Sequence, residues 1–141
     1  MFSYHQNRGE KHRMQYRKKL SMKEYSSNCK HIKNLCSCMK ENIKNLEVIS
    51  QQTITEIQIV RSKMQNCYSV LPRMEKRLVL FIDSCDSVLY KIVLYNDYRS
   101  FTDKQELLKA VNLLQSHAVT LYKESKKEVL LDEYINHYID S

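Results

Sequence analysis

Glycine and proline are almost absent from this chain of 141 residues, which contains one of each and no tryptophan. Folds built mainly from strands need glycine, proline, asparagine and aspartate at closely spaced turns, because these residues adopt positive φ or preset a turn at low cost. Phosphate-binding loops of the Walker and dinucleotide types require two or three glycines close together. The scarcity of both residues therefore excludes these folds and loops, and it predicts an all-α chain.

Long hydrophobic runs are also missing. The longest uninterrupted apolar run covers residues 78–82, far short of the roughly 20 residues that span a bilayer. The first 25 residues are basic and polar and contain no apolar core of the kind found in secretory signals. We therefore expect no transmembrane segment and a cytoplasmic protein, with a nuclear location left open.

The five cysteines form an odd-numbered set within a helical pattern, which favours reduced thiols over a disulfide framework. Cys29, His31, Cys36 and Cys38 superficially resemble a zinc site. However, Cys36 and Cys38 are two residues apart on a predicted helix and so point in divergent directions, whereas zinc ligands must converge. We predict no metal site and no cofactor.

Positive charge is concentrated near the N-terminus. Residues 1–30 carry eight lysines and arginines and two glutamates, whereas the remainder of the chain is almost neutral. We predict that residues 1–26 form a flexible basic arm that is either simply solvated or attracted to an anionic surface. The basic residues assigned to this arm are Arg8, Lys11, Arg13, Arg17, Lys18, Lys19 and Lys23.

A heptad repeat is the strongest pattern in the chain. Two series of positions spaced seven residues apart, starting at Ile32 and Cys36, are apolar through Tyr95 except at Ser50 and Thr53. A sustained repeat of this kind keeps one stripe facing other helices. It predicts a long helix over residues 27–95, in an elongated coiled-coil or helical-hairpin architecture.

Two helices in a hairpin are too thin to bury such a stripe, so we predict that it contacts partner helices. Methionine and cysteine replace many of the expected leucines, and methionine packs adaptably, which favours a hetero-oligomer over a homodimer. The predicted partner-binding residues are Met39, Ile43, Leu46, Ile57, Val60, Met64, Cys67, Leu71, Met74, Leu78, Phe81, Val88 and Ile92.

Pro72 falls inside this predicted helix. Proline lacks the N–H that an interior helical position needs, so the helix must either kink there or end, with Pro72 in the first turn of a new helix. The heptad register is the same on both sides of Pro72, and a reversing turn has no reason to preserve it. We therefore predict a kinked, continuous helix.

The pattern weakens at residues 96–101, which are rich in turn-forming residues and are predicted to form a loop. Thr102 and Gln105 have the spacing of a capping box. A second amphipathic stripe follows at Leu107, Val111 and Leu114. The sequence thus predicts a shorter C-terminal helix over residues 102–140.

Catalytic residues are not evident in the pattern. His117 and His137 are not spaced to act with a cysteine or a carboxylate, and nucleophilic catalysis needs such a neighbouring group. We predict that the chain is not an enzyme and has no small-molecule substrate.

The segment from Met64 to Glu75, Met-Gln-Asn-Cys-Tyr-Ser-Val-Leu-Pro-Arg-Met-Glu, resembles the central helix of cappuccino-type subunits. These are small helical subunits of the biogenesis of lysosome-related organelles complex 1. The resemblance implies a non-catalytic subunit of a rod-like hetero-oligomer on endosomal or lysosomal membranes. It also implies that Met64, Tyr68 and Arg73 lie on the packing surface.

The sequence as a whole predicts a structural or scaffolding subunit of a coiled-coil complex in trafficking or cytoskeletal attachment, and the resemblance implies endolysosomal trafficking. The alternative is an electrostatic binding module whose basic arm binds nucleic acid, an anionic membrane or microtubules, for example a kinetochore subunit. Deleting residues 1–26 distinguishes the two, because only the module depends on the arm for salt-sensitive binding.

Overall fold

The structure is a computed structural model that describes residues 21–66 and 72–140. The described residues form four helices and no strand: α1 (Met22–Lys44), α2 (Gln51–Gln65), α3 (Pro72–Tyr98) and α4 (Phe101–Asp140). The predicted all-α class is confirmed. The predicted single helix over residues 27–95 is wrong in one respect, because the chain divides it into three separate helices.

The four helices form an up-and-down bundle. α1 packs against α2 and α4, and α3 packs against the same two helices, whereas no Cα atoms of the diagonal pairs lie within 8 Å of each other. Polar contacts show that each neighbouring pair is antiparallel, since rising numbers on one helix meet falling numbers on the next. Between α1 and α2 these contacts are Asn28–Met64 and His31–Glu56, and between the start and body of α2 and α3 they are Ile49–Asn96 and Arg61–Asp86. Between α3 and α4 they are Arg77–Glu124 and Lys91–Glu106, and between α1 and α4 they are Lys23–Glu133 and Lys33–Gln115.

The core lies along the bundle axis and is built from one apolar stripe of each helix. α4 supplies the predicted second stripe, which is fully buried from Leu107 to Leu121. α1 and α3 supply most of the heptad positions, and α2 adds Ile57, Val60 and Met64. Burial of these stripes against one another provides the main stabilisation of a helical bundle.

The first break in the predicted long helix lies between α1 and α2. Leu46 adopts a left-handed conformation with φ 56°. The Leu46 N–H donates to the Ile43 carbonyl at 3.1 Å, and the Glu47 N–H donates to the Asn42 carbonyl at 2.8 Å. These two bonds form a Schellman motif, which ends helices and normally has glycine at the left-handed position. Here the chain reverses direction without a glycine.

Ser50, which the sequence placed in the apolar seam, begins α2 instead. Its hydroxyl oxygen accepts the Thr53 N–H at 3.2 Å, as a helix N-cap does. The two polar positions that interrupt the heptad series are therefore a helix start. A serine that competes with the backbone for hydrogen bonds favours this position over a helix interior.

Replacing Leu46 with glycine is expected to raise the free energy of unfolding by about 1 kcal/mol, because the left-handed conformation costs a side chain with a Cβ roughly that amount. Urea denaturation followed by circular dichroism measures the change. Leu46→Ala is the matched control, since it removes the exposed side chain but keeps the Cβ. A glycine variant no more stable than the alanine variant contradicts the expectation.

Pro72 is the first residue of α3, so the predicted kink is wrong and the alternative of a new helix is correct. Proline fits the first helical turn because its missing N–H would have no partner there. Residues 67–71 lie outside the described residues.

The predicted loop at 96–101 is shorter in the structure. α3 continues to Tyr98, Arg99 adopts φ 48°, and α4 begins at Phe101. The Ser100 hydroxyl oxygen accepts the Asp103 N–H at 3.1 Å, and the hydroxyl donates to the Asp103 carboxylate at 2.7 Å. The helix cap is thus Ser100 with Asp103, two residues before the predicted pair.

The predicted boundary of the basic arm at residue 26 is also wrong. Ser21 caps α1, which begins at Met22, and Tyr25 and Ser26 are already buried in the bundle. Met22 and Tyr25 are in register with the heptad series, seven residues before Cys29 and Ile32, so the pattern extended by one heptad indicates this start. The rest of the predicted arm, residues 1–20, lies outside the described residues.

Candidate functional site

The predicted partner-binding seam lies inside the chain's own core. Most of its residues are buried against the other helices of the bundle: Met39, Ile43, Ile57, Val60, Met64, Met74, Leu78, Phe81, Val88 and Ile92. Leu46 is the exception, since it is 54% exposed in the turn after α1. Cys67 and Leu71 lie outside the described residues. The four helices of the chain thus cover the stripe that a two-helix hairpin would leave open, and its described residues other than Leu46 lie in the core of the bundle.

Of the predicted basic arm, only Lys23 is described. Its ammonium lies 3.2 Å from the Glu133 carboxylate of α4. Arg8, Lys11, Arg13, Arg17, Lys18 and Lys19 all lie outside the described residues. Of the residues implied by the family resemblance, Met64 is buried in the core, and the side chains of Tyr68 and Arg73 are likewise not described.

Three of the cysteines lie in the core. Burial raises the pKa of the Cys29, Cys36 and Cys85 thiols to about 12. Cys85 is on α3, and no Cα atom of α3 comes within 8 Å of α1. A disulfide requires a shorter Cα separation, so Cys85 cannot bond to Cys29 or Cys36 without moving the helices. Cys38 is free and exposed.

Alkylation should therefore distinguish the thiols. In the folded protein at mildly alkaline pH, iodoacetamide is expected to modify Cys38 rapidly and to leave Cys29, Cys36 and Cys85 unmodified, because the thiolate is the reactive form. Peptide mapping by mass spectrometry measures each site separately. Labelling in urea is the control, in which all five cysteines of the chain should react. Equal labelling of Cys85 and Cys38 without urea contradicts the buried placement.

A groove of about 380 Å³ between α1 and α2 contains a histidine, a carboxylate and a hydroxyl near one another. His31 Nε2 lies 3.6 Å from Glu56 Oε1 at its edge, and the Ser27 hydroxyl is one helical turn before His31. Nucleophilic catalysis needs a hydrogen bond between hydroxyl and imidazole. Among the described residues no such bond to His31 is formed, and the imidazole lies against the Glu56 carboxylate instead. The absence of enzymatic activity stays a prediction.

Within residues 21–66 and 72–140, no group of three or more histidine, cysteine or acidic side chains is arranged to hold a metal ion. Over the same residues, no helix is long and apolar enough to cross a membrane.

Two groups of exposed apolar side chains are each confined to one part of the bundle, while Ile59, Val79, Leu80, Tyr90, Val93 and Leu113 are exposed elsewhere on α2, α3 and α4. One group lies at the end where both short turns meet, and it comprises Leu46, Val48, Tyr98 and Phe101. The other group lies on the C-terminal part of α4, and it comprises Leu130, Leu131, Tyr134 and Ile135. The first is divided between two turns, whereas the second belongs to one continuous helix.

The C-terminal part of α4 extends beyond its buried stripe. The last fully buried residue on α4 is Ser125, and the adjacent Glu124 pairs with Arg77 in the second turn of α3, which begins at Pro72. From Lys126 onward, no described side chain of α4 is buried. At 1.5 Å per residue this part of α4 is roughly 20 Å long.

Leu130, Leu131 and Ile135 have exposed fractions of 58%, 51% and 43%. Leu131 and Ile135 are four residues apart and therefore lie on one face of the helix, with Leu130 beside them. A row of this kind is typical of a helix face that packs against another helix. The sequence placed Leu131 and Ile135 on one face, but did not show that the bundle would leave them uncovered.

Comparison with known proteins adds no relative, since no family model, curated protein or solved structure matches the chain.

Proposed function

We propose that the protein is a non-catalytic helical subunit that joins a larger assembly through the C-terminal part of α4. The observation that supports the proposal is the apolar row of Leu130, Leu131 and Ile135 on a helix that continues past its own core. Most of the described heptad positions are already buried, Leu46 excepted, whereas this row lies exposed on one continuous helix.

The physical argument concerns exposed apolar area. Full burial of an exposed leucine or isoleucine side chain contributes about 1.5–3 kcal/mol, and these three, at 58%, 51% and 43% exposed, can still gain roughly half of that each. Three such side chains on one face give a partner helix enough apolar surface to offset part of the entropy lost on association. The partner that fits is an amphipathic helix of another protein, packed along α4 as a further member of the bundle.

The cellular role within this proposal is endolysosomal trafficking, as part of a rod-like hetero-oligomer at the cytoplasmic face of endosomal or lysosomal membranes. It is supported by the resemblance of Met64 to Glu75 to cappuccino-type subunits. Burial of Met64 fits a packing role, although the bundle itself provides the surroundings of that side chain.

Affinity purification with mass spectrometry tests the proposal when wild-type protein is compared with the double variant Leu131→Glu/Ile135→Glu. The expected result is a discrete set of helical proteins that co-purify with the wild type and are lost from the variant. The matched control is Val79→Glu/Val93→Glu, because both valines are about half exposed on α3, away from the row. This control should retain the same proteins.

Reconstitution then decides whether the contact is direct. The purified chain and the recovered partner are expected to form a complex of fixed stoichiometry in size-exclusion chromatography with light scattering, and the double variant should remain at the mass of one chain. Identical co-purifying proteins for all three forms, together with a wild-type chain that stays monomeric in the mixture, contradict the proposal.

A further inference from the structure

A groove between α1 and α4 collects positive charge around one tyrosine. The groove has a volume of about 240 Å³, and its lining includes Ser27, Lys30, Tyr122 and Lys126. Tyr122 is half-buried near the middle of α4. This surface lies on the described bundle and is separate from the apolar row used in the proposed function.

Three lysines surround the Tyr122 side chain. Lys126 Nζ donates a hydrogen bond to Tyr122 Oη at 3.2 Å and lies 5.4 Å from the ring centroid. Lys33 Nζ lies 6.0 Å from the same centroid. The hydrogen bond from Lys126 and the charges of Lys126, Lys30 and Lys33 together lower the pKa of Tyr122. Three ammonium groups from two helices thus act on one phenol.

The position of Lys33 is fixed by the contact between the helices. Gln115 on α4 donates hydrogen bonds to the Lys33 carbonyl at 3.0 Å and to the Ser37 hydroxyl at 2.9 Å. These bonds hold the turn of α1 that carries Lys33 against α4. The charge cluster is therefore a product of the bundle's packing.

The charges of the cluster are not neutralised within the described part of the chain. Among the ion pairs of residues 21–66 and 72–140, Glu133 pairs with Lys23 and Glu124 pairs with Arg77. None of these pairs joins a carboxylate to Lys30, Lys33 or Lys126. All three lysines carry the same charge near Tyr122, so an anion bound beside that side chain is attracted by each of them.

The donors of the cluster suit a phosphate group. Lysine donates hydrogen bonds as a point charge and is a common phosphate ligand. Lysine cannot accept a hydrogen bond, so Tyr122 Oη accepts the hydrogen bond from Lys126. The Tyr122 O–H can therefore donate a hydrogen bond to an anion. A phosphomonoester carries close to two negative charges at neutral pH, which a carboxylate does not.

We propose that this groove binds a phosphomonoester group, held by Lys30, Lys126 and the Tyr122 hydroxyl in its lining and by Lys33, whose ammonium lies 6.0 Å from the Tyr122 ring centroid. The groove opens beside Lys23 at the start of α1, and residues 1–20, which precede it in the sequence, carry six lysines and arginines and one glutamate. That excess of positive charge favours approach of the same ligand. The phosphate belongs either to a soluble phosphate ester or to the headgroup of a phosphoinositide lipid.

Titration of the isotope-labelled full chain with inorganic phosphate, followed by NMR at constant ionic strength, tests the site. The expected result is saturable shifts of the Lys30, Lys33, Tyr122 and Lys126 resonances. Lys33→Gln and Lys126→Gln should each weaken binding about tenfold, the loss of one charge-assisted hydrogen bond. Tyr122→Phe should weaken it by a smaller factor and leave the fold intact, because it removes only the hydroxyl.

Lys109→Gln is the matched control, since it removes the same charge from an exposed position on α4 roughly 20 Å from Tyr122. It should bind phosphate as the wild type does. Equal weakening by Lys109→Gln and Lys126→Gln means that binding follows net charge alone and overturns the proposal, as does the absence of saturable shifts at the four residues.

Vesicle sedimentation distinguishes the two sources of phosphate. Phosphatidylcholine vesicles that carry a monophosphorylated phosphoinositide are compared with vesicles of equal charge that carry phosphatidylserine. Preference for the phosphoinositide, lost in Lys33→Gln/Lys126→Gln, assigns the lipid headgroup. Saturable binding of glycerol phosphate without vesicle binding assigns a soluble ester. Neither result depends on a partner helix, so the assembly proposal can fail while this one stands.

Discussion

Replacing Phe81 with alanine is expected to lower the free energy of unfolding of the isolated chain by about 3–5 kcal/mol. Phe81 lies on α3 with none of its surface exposed, and it belongs to the core that all four helices build. Truncation of a fully buried aromatic ring removes its transfer free energy and leaves a cavity that the surrounding helices fill only in part. A loss of this size is a large fraction of a small domain's stability.

Urea denaturation followed by circular dichroism, repeated at two protein concentrations, measures this effect. Val79→Ala is the matched control on the same helix, because Val79 is 52% exposed and its truncation should change stability by less than about 0.5 kcal/mol. The loss in Phe81→Ala should be the same at both concentrations. A small loss, together with a free energy of unfolding that rises with protein concentration, would show that Phe81 is buried between chains and not within one.

The heptad repeat predicted burial correctly but not the identity of the neighbour. Positions such as Leu78, Phe81 and Val88 had to be covered, because a repeated apolar stripe is unstable in water. The pattern is the same whether the covering helix comes from another chain or from a later part of the same one. The described bundle resolves this, since α4 returns antiparallel to both α1 and α3 and covers their stripes.

The helix boundaries were harder to predict, for local reasons. Ser50 interrupts the seam as a polar layer would, and only the hydrogen bond to the Thr53 N–H identifies it as a cap. Leu46 takes a left-handed conformation that sequence rules assign to glycine. This break between α1 and α2 does not shift the heptad register, so a count of apolar positions does not reveal it.

The basic groove could not be predicted from the sequence at all. Lys30 and Lys33 are separated from Lys126 by more than ninety residues, and each lies in a locally ordinary stretch. Antiparallel packing of α1 on α4 brings them to one tyrosine. The sequence predicted a basic surface only from the excess of lysine and arginine within residues 1–30, a feature of one continuous segment.

Asn96 was predicted to begin a loop, yet in the structure it joins two parts of the bundle. Its side-chain oxygen accepts the Ile49 N–H at 2.8 Å, and its side-chain amide donates to the Ile49 carbonyl at 3.0 Å. Ile49 is almost fully buried in the turn between α1 and α2. The adjacent Tyr95 hydroxyl donates to the Glu47 carbonyl at 2.8 Å. Together Asn96 and Tyr95 provide hydrogen-bond partners for backbone groups of Glu47 and Ile49.

Asn96→Ala is therefore expected to cost about 2–4 kcal/mol of unfolding free energy, because it leaves two buried backbone groups of Ile49 unpaired and each such group costs about 1–3 kcal/mol. Tyr95→Phe removes one hydrogen bond to the same turn and should cost about 1 kcal/mol. Urea denaturation gives both values, and the order of the two variants is as informative as their size.

Asn96→Asp separates the two hydrogen bonds. The aspartate still accepts the Ile49 N–H, but it places a negatively charged oxygen against the Ile49 carbonyl, where the amide donated. Amide hydrogen exchange at Ile49 is expected to accelerate strongly in Asn96→Ala and much less in Asn96→Asp, since only alanine removes the acceptor. Slow exchange at Ile49 in the alanine variant, with stability within about 0.5 kcal/mol of the wild type, would show that the turn is held by its own Schellman motif and by apolar burial of Ile49.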